Sequence, residues 1–224
     1  MLCWTVVVLL FSHGVSAGEL PKGFVDARTV IPDLRLELRY LGTDNFVGQR
    51  VDGYRAERCI LTGEAAAALK QVQDDLRPFG LALKVYDAYR PQRAVDHFDR
   101  WARALSDTRT KMAFYPDVAK KDLFRLGYIA GRSSHSRGST VDLTIVVAAD
   151  GQPGRDLDMG TGFDLFGPAS WPASTAVTAE QRAHRLLLRS LMVRHGFVPF
   201  DMEWWHFTLA HEPYPATYFD FPVE

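Results

Sequence analysis

The run STVDLTIVV, residues 139–147, constrains the fold most. Its β-branched residues suit a strand, and it carries a carboxylate, Asp142, inside that strand. Other segments supply its neighbours. Residues 34–40 (LRLELRY) alternate apolar and polar, which is strand periodicity, and residues 81–89 (LALKVYDAY) read as a buried strand. Residues 197–208 alternate aromatic and polar types and read as a last strand or hairpin.

Helical patterns are interspersed among these strands. Thr62 caps a predicted helix ending at Gly80, with Ala65, Leu69, Val72 and Leu76 as its apolar stripe. Pro91 opens a second, which buries Ala94, Val95, Phe98, Trp101, Ala102 and Leu105. A short helix is expected over 120–127, after a loop from 106. Thr178 and Gln181 have capping-box spacing for a helix over 179–195, which Gly196 stops. Asp150-Gly151 suits a turn, and residues 152–176 read as a long ordered loop. The pattern is that of a single α+β domain, residues 18–224.

The 224-residue chain is 47% hydrophobic and has a net charge of −1, so it lacks the basic excess of a nucleic-acid binder. Residues 3–12 form an apolar run too short to span a bilayer. Val15-Ser16-Ala17 follows it, so residues 1–17 read as a signal peptide cleaved before Gly18, despite an n-region with no Lys or Arg. Export to the periplasm is the corresponding expectation, without stable membrane insertion. No cysteine stands at the cleavage point to carry a lipid. Cleavage removes Cys3 and leaves Cys59, which reads as a buried thiol, so the core, with any bound metal, must hold the fold without cystine.

Two segments carry the chemistry, SSHSRGSTVD (133–142) and EWWH (203–206). A catalytic zinc site needs about three protein ligands and one open position. His135, Asp142 and His206 are suitable donors for one zinc ion per chain, and Glu203 is the natural base beside them. Each short motif also arises by chance. If 203–206 is strand, Glu203 and His206 point to opposite faces, so Glu203 must enter through a turn or bulge. His97, His184, His195 and His211 read as structural or surface residues. In YDAYRPQRA (86–94), Arg90 stands where a strand meets a helix and suits stabilisation of an oxyanion; a surface ion pair is an equal reading.

Together these segments resemble the VanX-type D-alanyl-D-alanine dipeptidases of the zinc DD-peptidase and Hedgehog-like fold group. The matching stretches are YLGTDNFVG (40–48), VDGY (51–54), YDAYRPQRAV (86–95), SSHSRGSTVDLT (133–144), MGTGFD (159–164), EWWH (203–206) and EPYPATYFDFP (212–222). The resemblance implies a central, mainly antiparallel sheet flanked by helices. It implies His135, Asp142 and His206 as zinc ligands, Glu203 as general base and Arg90 as stabiliser of the tetrahedral intermediate. Tyr40, Ser133 and Asp164 match positions that hold the substrate's free amino group, and Asp87 and Tyr54 match residues near the pocket. The expected partner is a small dipeptide, with no nucleic acid and no particular oligomeric state implied. The expected reaction is hydrolysis of D-Ala-D-Ala to two D-alanines. The alternatives are a DD- or LD-carboxypeptidase acting on peptidoglycan stems, which needs an open groove, and a zinc-stabilised binding module in which Glu203 is dispensable.

Overall fold

The computed structural model describes residues 19–148 and 154–224. The expected signal peptide, Cys3 and the Asp150-Gly151 turn lie outside the described residues. The strands are β1 (Phe24–Asp26), β2 (Arg35–Leu36), β3 (Ile60–Thr62), β4 (Leu81–Asp87), β5 (Thr140–Val147), β6 (Phe197–Phe200) and β7 (Glu203–Leu209). The helices are α1 (Gly63–Leu76), α2 (Gln92–Arg103), α3 (Lys111–Phe114) and α4 (Ala179–Arg194).

Five strands form the main sheet in the order β2-β4-β5-β7-β6. Only β2 runs parallel to its neighbour, so the sheet is mainly antiparallel, as expected. Strands β1 and β3 make a separate antiparallel pair. The β-branched run becomes β5, whose Val141, Leu143 and Ile145 are fully buried. Helices α1 and α4 pack on each other, α1 against β4 and α4 against β6 and β7. They share one apolar core with the sheet, in an α+β domain.

The caps act as their chemistry predicts. The Thr62 side chain accepts a hydrogen bond from Ala65 N, and Gly80 ends the first helical segment at φ 66°. Thr178 and Gln181 form the reciprocal capping box at α4. The predicted apolar stripe of α1 is buried, and Gln73 is buried beside it. Gln73 Oε1 accepts from Leu83 N at 2.8 Å, and its Nε2 donates to Asp33 at 2.9 Å. One side chain therefore fastens α1 to β4 and satisfies a buried backbone donor.

Four local expectations are corrected. Only Arg35–Leu36 pairs as a strand within 34–40, because the chain then turns through a 3-10 helix over Arg39–Leu41 that buries Tyr40. The helix expected over 120–127 is reduced to a 3-10 turn at Lys120–Asp122. There Lys120 Nζ reaches inward to the carbonyls of Ala104 and Asp107, 3.9 Å from the Trp101 ring centroid. The preceding loop contains α3, where Lys111 Nζ gathers the carbonyls of Tyr115, Pro116 and Val118. Leu105 is 54% exposed because α2 ends at Arg103, whereas the other five predicted residues of its buried side are inside. Cys59 is buried, as its apolar setting predicts, and burial pushes its thiol pKa up.

Replacing Gln73 with Leu keeps side-chain volume but leaves Leu83 N without its acceptor. The expected loss is about 1–3 kcal/mol in denaturant unfolding, with the slope unchanged. An unchanged midpoint would show that this contact does not fasten the helix.

Candidate active site

The sheet register builds the site. Asp142 on β5 stands directly opposite His206 on β7 and, on its other side, opposite Asp87 on β4. Three polar residues thus form a row across the central strands. His135 enters from a 3-10 turn, Ser134–Arg137, whose N-cap Ser133 accepts from His135 N. Gly138 ends this turn at φ 85°, where an added Cβ would lie 2.2 Å from the Phe24 ring. Only glycine satisfies both the backbone angle and the contact.

The bend required before His206 is present. Pairs Pro199↔Phe207 and Phe200↔Glu203 are one step apart on β6 but four on β7. This bulge turns Glu203 to the same cavity as His206, with Glu203 Oε2 3.7 Å from His206 Nδ1.

The three donors lie at the corners of a small triangle. His135 Nε2 is 3.3 Å from His206 Nδ1 and 3.2 Å from Asp142 Oδ2, and His206 Nδ1 is 3.0 Å from Asp142 Oδ1. A tetrahedral ion such as zinc, with bonds of ~2.0–2.2 Å, sets its donors ~3.3–3.5 Å apart. The outer nitrogens are also engaged: His135 Nδ1 lies 2.7 Å from Ala88 O, and His206 Nε2 lies 3.3 Å from Ser134 Oγ. With His135 Nδ1 donating to that carbonyl, the neutral ring presents its Nε2 lone pair to the triangle. Asp142 Oδ1 is buried and has no hydrogen-bond partner, despite lying so close to His206. A buried acceptor left this way fits a cation between the donors. Among the described residues, this is the group of three metal-binding side chains with donors this close.

Charge is tightly managed here. Burial alone would raise the Asp142 carboxyl, but His135 and His206 outweigh it and hold it well below the carboxylate range. Burial pushes Glu203 up to about 7; Asp142 adds to the rise, while His206 and Arg90 oppose it. Burial also raises Asp164 well above its ordinary value, reinforced by Asp142 and opposed by the Tyr40 hydrogen bond. An arriving cation would reverse that shift.

Arg90 is fixed from several sides. Its Nε and Nη2 each lie 2.9 Å from Asp87 Oδ2, Nη2 lies 3.5 Å from Asp142 Oδ2, and Nη1 donates to Ser133 Oγ at 3.4 Å. Its guanidinium also stands over the Tyr40 and Phe98 rings. Burial works against the charge, yet Asp87 and its other neighbours keep Arg90 protonated. The equal reading of Arg90 as a surface ion-pair residue is thereby excluded.

A cavity of about 400 Å³ brings together Tyr40, Arg90, Ser133, His135, Asp142, Asp164, Glu203 and His206. Tyr40 Oη donates to Asp164 Oδ2 at 2.8 Å. Asp164 is the one non-glycine residue at positive φ (62°) among those described, a conformation that Asp tolerates better than most. Asp87 and Tyr54 stand near the cavity, as the resemblance implies, but do not line it, so direct substrate contact is not their place. Tyr54 Oη donates to Asp87 Oδ1 at 2.6 Å, and Asp87 faces Arg90, so the pair braces the guanidinium from behind.

The cavity also takes Tyr128, Arg132, Phe166 and Phe200, which sequence patterns did not single out. They come from loops and a strand end, where no periodicity marks a buried face. The other histidines at issue serve local contacts: His97 accepts from Asp52 N, His184 meets Asp158 O and His195 pairs with Asp75. His211 is exposed.

A peptidase M15 family model described as D-ala-D-ala dipeptidase matches residues 21–224. A D-alanyl-D-alanine dipeptidase of Streptomyces coelicolor is 44% identical over 200 residues, 89% of this chain and 96% of that one. One from Enterococcus faecium is 37% identical over 202 residues, 90% and 98% of the respective chains. A solved vancomycin-resistance D,D-pentapeptidase in complex with Zn(II) is 15% identical, with a TM-score of 0.42 over 70% of this chain and 77% of that one. The family match over nearly all described residues, together with relatives well above 30% identity, establishes that the chain belongs to the D-Ala-D-Ala dipeptidase family of M15 peptidases.

Proposed function

We propose that this protein hydrolyses D-alanyl-D-alanine to two D-alanines, using one zinc ion held by His135, Asp142 and His206. The observation that carries this reading is the donor triangle with Glu203 facing the same cavity. Two imidazoles and one carboxylate match the ligand chemistry of a catalytic zinc with an open position. When bound, the ion supplies Lewis acidity towards water and towards the scissile carbonyl oxygen.

The chain's own groups do the rest. Glu203 takes a proton from the attacking water as its oxygen bonds to the carbonyl carbon. It passes that proton to the amine nitrogen as the C–N bond breaks. Arg90, held in place by Asp87, faces the negative charge that develops on the carbonyl oxygen. Asp164 receives the substrate ammonium, with Tyr40 and Ser133 beside it. The ammonium supplies the counterion that this buried carboxyl lacks. An N-acylated peptide cannot, which disfavours stem peptides as substrates.

Glu203→Gln is expected to keep one zinc per chain and to lose about 10²–10⁴-fold in kcat on D-Ala-D-Ala. Metal analysis and steady-state kinetics check this. Retention of most of the activity would remove Glu203 as the base. Wild-type preference for an N-acylated tripeptide in the same assay would favour the carboxypeptidase reading.

The apolar run and the small-x-small pattern ending at Ala17 support export. The corresponding role is turnover of wall-derived dipeptide outside the cytoplasm. Native protein is expected to begin at Gly18 on N-terminal sequencing; an intact N-terminus in the cytosolic fraction would contradict this.

A further inference from the structure

We infer that Arg132 at the cavity wall binds the C-terminal carboxylate of the dipeptide and makes the site selective for a free acid. The inference rests on the dipeptidase reading and extends it to the other end of the substrate. A dipeptide is a zwitterion. Asp164 answers its ammonium, so its carboxylate needs a cation elsewhere in the same cavity.

Two guanidinium groups line that cavity, Arg90 and Arg132. Arg90, held by Asp87, is assigned above to the charge that develops on the carbonyl oxygen. Arg132 takes part in none of the ion pairs among the described residues, although nearby Arg137 is paired with Glu212. Arg132 is exposed, and two contacts place it. Gln92 Nε2 donates to Gly131 O at 3.0 Å, fixing the backbone just before it. The Arg132 guanidinium then stands 5.0 Å from the Tyr218 ring centroid. A stacked guanidinium keeps its edge free for the two oxygens of a carboxylate. Arg132 also precedes His135 by three residues, with Ser133 and Ser134 between them on the same wall. The acids that line the cavity are Asp142, Asp164 and Glu203, all assigned above to metal, ammonium and proton transfer.

The test compares D-Ala-D-Ala with its C-terminal amide on the zinc-loaded protein. For Arg132→Ala, KM for the free acid is expected to rise about three- to tenfold, the range for a partly exposed charged contact. Its kcat should stay within about twofold, and the amide's constants should not move. Arg132→Lys should recover part of the loss. Equal effects on acid and amide, or no effect on either, overturn the inference. If wild type hydrolyses neither compound, the dipeptidase reading fails first. Calorimetric binding of the same two compounds then still tests Arg132: the free-acid preference must be present in wild type and lost in Arg132→Ala, and any other result overturns the inference.

Discussion

The Asp142 carboxylate sits on the middle strand of the sheet and is almost wholly buried. Placing an ionised carboxylate there costs several kcal/mol unless partners replace its water. Those partners come from distant parts of the chain: His135 from a 3-10 turn, His206 from β7 and Arg90 from the exit of β4. Each is itself braced, by Ala88 O, by Ser134 and by Asp87 with Tyr54 behind it. The central charge and the surrounding fold therefore require each other.

The same arrangement underlies the proposed chemistry. A regular β7 would point Glu203 away from His206, since alternate residues face opposite sides. The β7 bulge turns Glu203 back, and burial brings its carboxyl up to about 7. Asp164 is raised by burial, and Asp142 and Glu203 add to the rise. The site thus separates its acids by environment: Asp142 is held low, and Glu203 and Asp164 are raised, which is the division of labour the proposed mechanism uses.

Much of the frame was legible because it depends on local chemistry. The caps at Thr62 and Thr178 and the β-branched run of β5 mark their elements independently of tertiary contacts. His135, Asp142, His206 and Glu203 stood out because their types and order suit one metal centre. What escaped depends on contacts distant in sequence. The apolar-polar alternation of 34–40 persists, yet burial of Tyr40 beside Asp164 diverts the backbone into a 3-10 turn. The helix expected over 120–127 shrinks to a 3-10 turn, in which Lys120 turns inward to the carbonyls of Ala104 and Asp107. Tyr54 and Asp87 resembled pocket residues because they adjoin the pocket, but only the fold shows that they sit behind Arg90.

The most direct test is a crystal structure of the zinc-loaded protein with anomalous data across the zinc edge. One ion is expected within the donor triangle, bound by His135 Nε2, His206 Nδ1 and an Asp142 oxygen. An ion bound elsewhere, or one that leaves Asp142 uncoordinated, would contradict the account.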